Sequence, residues 1–224
     1  MPVSTTTLTP SSSAAAVDDG VSVVVLTGNG RAFSAGQDLN EMSAQAAGTA
    51  PAANPTEGPS GFPRFVDTLQ DFPKPVVAAV NGLAVGIGMT LLPHCDLVLV
   101  DEMARLRTPF TELGVPPEAA SSLLFPARMG WQQAARLLYT SEWITADEAV
   151  ELGLALRSCP AGTVLAEAVA LATKVASFPL VSLLAIKKAM LDAQVPLVRR
   201  ARAVEEQAFA EIFAARRAAA DPAP

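Results

Sequence analysis

Pro75-Val76-Val77-Ala78-Ala79-Val80-Asn81-Gly82-Leu83-Ala84-Val85-Gly86-Ile87-Gly88-Met89 carries an apolar, β-branched run into a glycine break just before a helix can start. A continuous apolar run bounded in this way reads as a strand buried on both faces, the pattern of a parallel sheet. A second run, Val21-Ser22-Val23-Val24-Val25-Leu26-Thr27, has the same character and leads to Arg31-Ala32-Phe33-Ser34-Ala35-Gly36-Gln37-Asp38-Leu39. Strand ends that break on glycine leave backbone N–H groups free, and two such ends can converge on one acyl oxygen. Preorganised amides there stabilise charge developing on a carbonyl, the chemistry of an oxyanion hole.

Working outward, residues 97–100 form a third buried-strand run, and helical patterns separate the strands. Phe62, Phe65, Val66 and Leu69 recur at helical spacing, as do Trp131, Ala134, Ala135 and Leu138, so each segment is expected to bury one face. Strands alternating with helices imply a mostly parallel, layered α/β fold. After Ser158-Cys159-Pro160 the pattern is helix alone, over 163–177, 179–193 and 196–219, with proline marking each start. Phe209, Ile212 and Phe213 on the last of these are expected to pack on the core or on a neighbouring subunit. Residues 44–60 carry five of the chain's turn-forming Gly and Pro residues, Gly48, Pro51, Pro55, Gly58 and Pro59, with almost no large apolar side chain; they read as a mobile surface loop.

Composition narrows the classes. The chain has 224 residues, 50% of them hydrophobic, and no apolar run approaches the roughly 20 residues that span a bilayer. Residues 1–16 lack a basic start followed by a long apolar stretch, so a secretory signal is not expected and a cytoplasmic setting is. A net charge of −6 without a basic, aromatic-interleaved stripe argues against nucleic acid as partner. Cys95 and Cys159 stand outside any ligand motif and read as buried reduced thiols; no metal is expected. Gly28-Asn29-Gly30 lacks the lysine and hydroxyl residue of a nucleotide loop, and the spacing from Gly28 to Gly36 is wrong for a dinucleotide fingerprint.

Ala32-Phe33-Ser34-Ala35-Gly36-Gln37-Asp38-Leu39 and the stretch from Lys74 to Gly88 resemble the crotonase, or enoyl-CoA hydratase/isomerase, superfamily in order and spacing. The likeness continues through Cys95-Asp96, Thr108-Pro109-Phe110, Arg128-Met129-Gly130, Thr145-Ala146-Asp147-Glu148-Ala149 and Gly153-Leu154. It implies a crotonase-like ββα spiral core over 21–160 and a C-terminal helical region over 161–224 that packs in oligomerisation, as a homotrimer or dimer of trimers. Residues 1–20 are expected to be disordered or an incomplete N-terminal segment, since the family places a hairpin and helix before the stretch matching Val21.

The resemblance also implies the site. The backbone N–H groups of Gln37 and Ile87 would be the oxyanion donors, and Ala35, Gly36, Asp38, Leu39, Gly86 and Phe110 would line the substrate, an acyl-CoA; no further cofactor is implied. Asp38 is also expected to cap a helix running to Met42. Of the two acids that hold water in hydratases of this family, one position is Thr90 here and the other Phe110. Thr108-Pro109-Phe110, Leu113-Gly114, Pro117-Glu118 and Ser121-Ser122 resemble the isomerase branch, in which the single glutamate shuttles the proton; Glu118 takes that role by position. Pro116, Pro117, Ala119 and Ala120 flank it with the apolar surroundings that raise a carboxyl pKa.

The implied activity is migration of a double bond in an unsaturated fatty acyl-CoA. Two readings stay open beside it, an enoyl-CoA hydratase of fatty acid β-oxidation and a non-catalytic crotonase-like scaffold. Glu112 is the nearest competing acid and is expected at the surface. His94, the single histidine, is expected to be structural, and Pro93 to shorten or kink the helix after Gly86. Lys187, Lys188, Arg199 and Arg200 could meet CoA phosphates or form a solvated helix face.

Overall fold

The computed structural model describes residues 3–6, 12–36 and 62–220. Along the chain these give β1 (Val3–Thr6), α1 (Ser12–Val17), β2 (Val23–Thr27), β3 (Ala32–Ser34), α2 (Phe62–Gln70), β4 (Val76–Val80), β5 (Leu83–Val85) and α3 (Ile87–Thr90). There follow a 3₁₀ turn at Leu92–His94, β6 (Leu97–Asp101), β7 (Arg105–Arg107), α4 (Phe110–Leu113), α5 (Ser121–Met129) and α6 (Trp131–Thr140). The chain ends through β8 (Ile144–Thr145), α7 (Ala146–Glu151), β9 (Arg157–Cys159), α8 (Val164–Ala176) and α9 (Leu180–Ala220).

Successive turns of the chain place one strand in each of two sheets. One sheet runs β1-β2-β4-β6-β9, all parallel; the other runs β3-β5-β7-β8, with only β8 antiparallel. Both orders follow the sequence, which makes the core a ββα spiral. The first sheet is covered on both faces, and that explains its unbroken apolar runs. Val24, Leu26, Val76, Ala78, Val80, Val98 and Val100 face the interior shared with Phe33, Ala84 and Leu106 of the second sheet. The alternate residues Val23, Val25, Val77, Ala79 and Leu99 meet Ala168, Ala172 and Ala176 of α8. Alanines at every fourth position let that helix lie flat on the sheet.

Within residues 1–20, for which composition gives no packed element, β1 extends the sheet beside β2 and Ala15 of α1 joins the core. The buried Lys74 ammonium donates to the carbonyls of Ala15 and Asp18 at 2.9 and 2.7 Å and closes the end of α1. The expected loop over 44–60 lies outside the described residues.

Two expectations change and one, at Pro93, holds. Trp131 is exposed and Leu137 takes its place in the buried face of α6, because Gly130 turns the chain only one residue earlier. Pro93 does end α3 early, and the chain continues as the 3₁₀ turn. Pro196, however, starts no helix: α9 is continuous from 180 to 220. Proline lacks one N–H and crowds the preceding turn, a local penalty of about 3 kcal/mol. Contacts beyond it hold the helix on course: Val198 is buried against Ala120 and Leu124, Arg199 pairs with Asp71 at 2.8 Å, and Arg202 pairs with Asp67 at 2.5 Å.

Candidate active site

The two glycine breaks converge. β3 pairs parallel with β5, so the turns that follow them leave the sheet at one edge. Gly36 has φ +98° and Gly86 φ +54°, both in the region that disfavours L side chains. A Cβ on Gly86 would sit 3.9 Å from the Gly36 Cα, and one on Gly36 would sit 3.2 Å from the Val85 carbonyl oxygen. The Gly86 N–H donates to the Arg107 carbonyl of β7 at 3.0 Å, which fixes the turn. Ile87 is therefore the first residue of α3, and a helix gives the N–H at that position no acceptor of its own. Ala35 and Gly36 lie at this edge; Gln37, Asp38 and Leu39 lie outside the described residues. Phe110 is buried at the start of α4.

Thr90 stands one helical turn after Ile87 and is fully buried. Its hydroxyl donates to Glu118 Oε1 at 2.5 Å. The position that lacks a carboxylate thus touches the carboxylate proposed from sequence. Glu118 Oε2 is buried and has no hydrogen-bond partner among the described residues. Burial pushes the Glu118 pKa up to about 8, and the negative charge of Glu205 adds to the rise; the Thr90 bond and Arg202 oppose it. A proton-accepting oxygen therefore stands desolvated beside the helix whose first N–H has no acceptor among the described residues.

Backbone strain holds that carboxylate in place. Ala119 and Ala120 follow it with φ +55° and +59°, a left-handed pair costing about 1–2 kcal/mol per residue. His94 Nε2 lies 2.8 Å from the Ala119 carbonyl; a carbonyl can only accept, so the ring donates. Burial and nearby cations push the His94 pKa down to about 4, and the ring is a neutral prop. Ser121 Oγ donates to the Glu118 carbonyl at 2.7 Å. Glu205 of α9 accepts from the Ala120 N–H at 2.7 Å, from the Ser122 N–H at 3.0 Å and from Ser122 Oγ at 2.6 Å.

Glu205 has no local signal in the sequence: it sits in an Ala-rich helix beside Val204 and Glu206, and the first of its partners is 85 residues away. Among the other candidates, Glu112 is exposed and bound to Arg107 at 3.0 Å. Lys187 is not on a solvated face. It is buried and pairs with Asp96, while Lys188 pairs with Asp192 and Arg199 with Asp71. Cys95 and Cys159 are free, buried thiols, and burial pushes Cys95 up to about 12.

Residues 5–220 match the model of the enoyl-CoA hydratase/isomerase family. The chain is 44% identical over 149 residues to enoyl-CoA delta isomerase 2 of Rattus norvegicus, a match over 66% of this chain and 37% of that protein. It is 37% identical over 196 residues to 2,3-dehydroadipyl-CoA hydratase of Escherichia coli (strain K12), over 88% of this chain and 74% of that protein. The match thus spans little more than a third of the rat isomerase. An enoyl-CoA hydratase/isomerase from Pseudoalteromonas atlantica T6c superposes with a TM-score of 0.84 at 34% identity, over 91% of this chain and 78% of that one.

Proposed function

The chain belongs to the enoyl-CoA hydratase/isomerase family, and from that premise we propose that it moves the double bond of a 3-enoyl fatty acyl-CoA to the 2-position, with Glu118 as proton shuttle. One observation carries this reading: the Glu118 carboxylate, whose buried Oε2 has no partner among the described residues, touches through Oε1 a threonine where a second acid would be needed to hold water. Glu118 Oε2 takes a proton from C2. The C–H electron pair moves toward the thioester carbonyl, and the resulting dienolate oxygen is held by the N–H groups of Gln37 and Ile87. The same carboxyl then returns the proton at C4, the electrons close as a C2–C3 double bond, and nothing else is consumed. One acid suffices because removal and return involve the same proton carrier.

Ala35, Gly36, Asp38, Leu39, Gly86 and Phe110 are proposed to line the acyl group, in a cytoplasmic enzyme assembled as a homotrimer or dimer of trimers. Exposed Ile186, Met190, Leu197 and Val204 along α9 support assembly through the C-terminal helix. The similarity to 2,3-dehydroadipyl-CoA hydratase over 88% of this chain favours hydration as the second reading.

Medium-chain 3-enoyl-CoA and 2-enoyl-CoA, each incubated with the purified protein, separate the two. Conjugated thioester absorbance is expected to appear from the first and to persist in the second. Loss of the 2-enoyl signal to a hydroxyacyl product would establish hydration, and silence in both would leave a scaffold.

The pH dependence follows from the burial of Glu118. The carboxylate must be ionised to accept the proton, and its pKa stands near 8. kcat/KM is expected to rise about tenfold per pH unit below that value and to level off above it. A limb centred near the ordinary carboxyl range, about 4 to 5, would remove Glu118 as the desolvated base.

A further inference from the structure

Resting on Glu118 as the proton carrier, we infer that Glu205 is its positioning residue: a carboxylate from the C-terminal helix that locks the strained turn behind Glu118 and sets the field it works in. The turn from Glu118 to Ser122 contains two consecutive left-handed alanines, both buried, and no side chain of its own segment caps α5. A strained turn persists only when its surroundings over-determine it. Here Glu205 supplies three acceptor bonds to Ala120 and Ser122, on both sides of Ser121, whose hydroxyl in turn grips the Glu118 carbonyl.

Both oxygens of Glu205 are used as acceptors, as befits the ionised form, and the residue is only 4% exposed. A buried negative charge so placed disfavours ionisation of a neighbouring carboxylate. Among the described residues, the groups facing Glu118 are few. Thr90 reaches it from α3, Glu205 and Arg202 from α9, and His94, neutral, stands behind Ala119. Arg202 is tied by hydrogen bonds to Asp67 and Gln70 of α2; burial does most to raise the Glu118 pKa, and the Glu205 charge adds to it.

Glu205→Gln keeps the shape and one acceptor while it removes the charge, and Glu118→Gln is run beside it. In Glu205→Gln, kcat is expected to fall on the order of 10- to 100-fold, as for a small misplacement of a reacting group, with KM within about twofold. The acid limb of the kcat/KM profile is expected to move to lower pH by roughly half a unit or more. A cap that merely stabilises the fold would not move that limb, so loss of kcat with an unmoved limb overturns the inference, as does wild-type behaviour in both. If Glu205→Gln does not fold, Ser122→Ala decides: it deletes one of the three bonds at an exposed residue and is expected to lower kcat roughly threefold at unchanged KM. Unchanged kcat there overturns the positioning role. Full turnover in Glu118→Gln would instead remove the base itself, whereas an inactive Glu118→Gln beside a normal Glu205→Gln removes only the positioning.

Discussion

Glu118→Gln is expected to lower kcat on 3-enoyl-CoA by about 10²- to 10⁴-fold, the range that a positioned proton carrier contributes. The amide is isosteric, and its oxygen can still accept from Thr90, so the turn at Ala119 and Ala120 has no reason to move. Affinity for an acyl-CoA is expected to stay within about twofold, measured by calorimetry with a non-reacting saturated thioester, because only proton transfer is removed. Stability separates this from damage to the fold. The folded state binds the Glu118 proton more tightly than the unfolded chain, since the pKa rises from 4.5 to about 8. The group's contribution is therefore fully present below pH 4.5 and lost as pH rises through 8. Glutamine cannot ionise, so the variant is expected to melt no lower than the parent protein at pH 9. A variant that keeps parental turnover would take Glu118 out of the mechanism.

Lys187→Met is expected to have the largest effect on stability. The Lys187 ammonium donates to both oxygens of Asp96, at 2.8 and 2.7 Å, and Asp96 also accepts from the Val76 N–H at 2.8 Å. One ion pair thus ties α9 to the entrance of β4 and to the residue just before β6. The lysine side chain is 5% exposed and the aspartate 20%, so solvent gives little compensation when one partner goes. Removing one member of such a pair costs about 3–5 kcal/mol, because the other is left charged and buried. For a domain of this size that is a fall of on the order of 10 °C in melting temperature, read by calorimetry. Lys187→Met with Asp96→Asn is expected to recover part of the loss, since no bare charge remains. A single variant that melts with the parent protein would show that the pair adds nothing to the fold.

Much of the fold was legible because its signals are local. The runs at β2 and β4 read as two-sided strands, and both strands are covered by side chains on each face. The early end of α3 was written in Pro93. The continuous α9 was not legible, because what offsets the local penalty at Pro196 is distant in sequence: the burial of Val198 against Ala120 and Leu124, with ion pairs to Asp67 and Asp71. Lys187 misled for the same reason: on an Ala-rich helix its charge looks solvated, and only the packed sheet brings Asp96 beneath it.

By itself the sequence determined the alternation of buried strands and helices, the glycine breaks at Gly36 and Gly86, and the lone glutamate between Pro117 and Ala119. Periodicity, positive φ and proline are properties of a few adjacent residues, and neighbours suffice to express them. Tertiary structure alone decided that Thr90 would touch Glu118 across 28 residues, and that Glu205 would hold its turn from 85 residues away. Such contacts form only after chain closure has brought the partners together, and no local pattern foreshadows them.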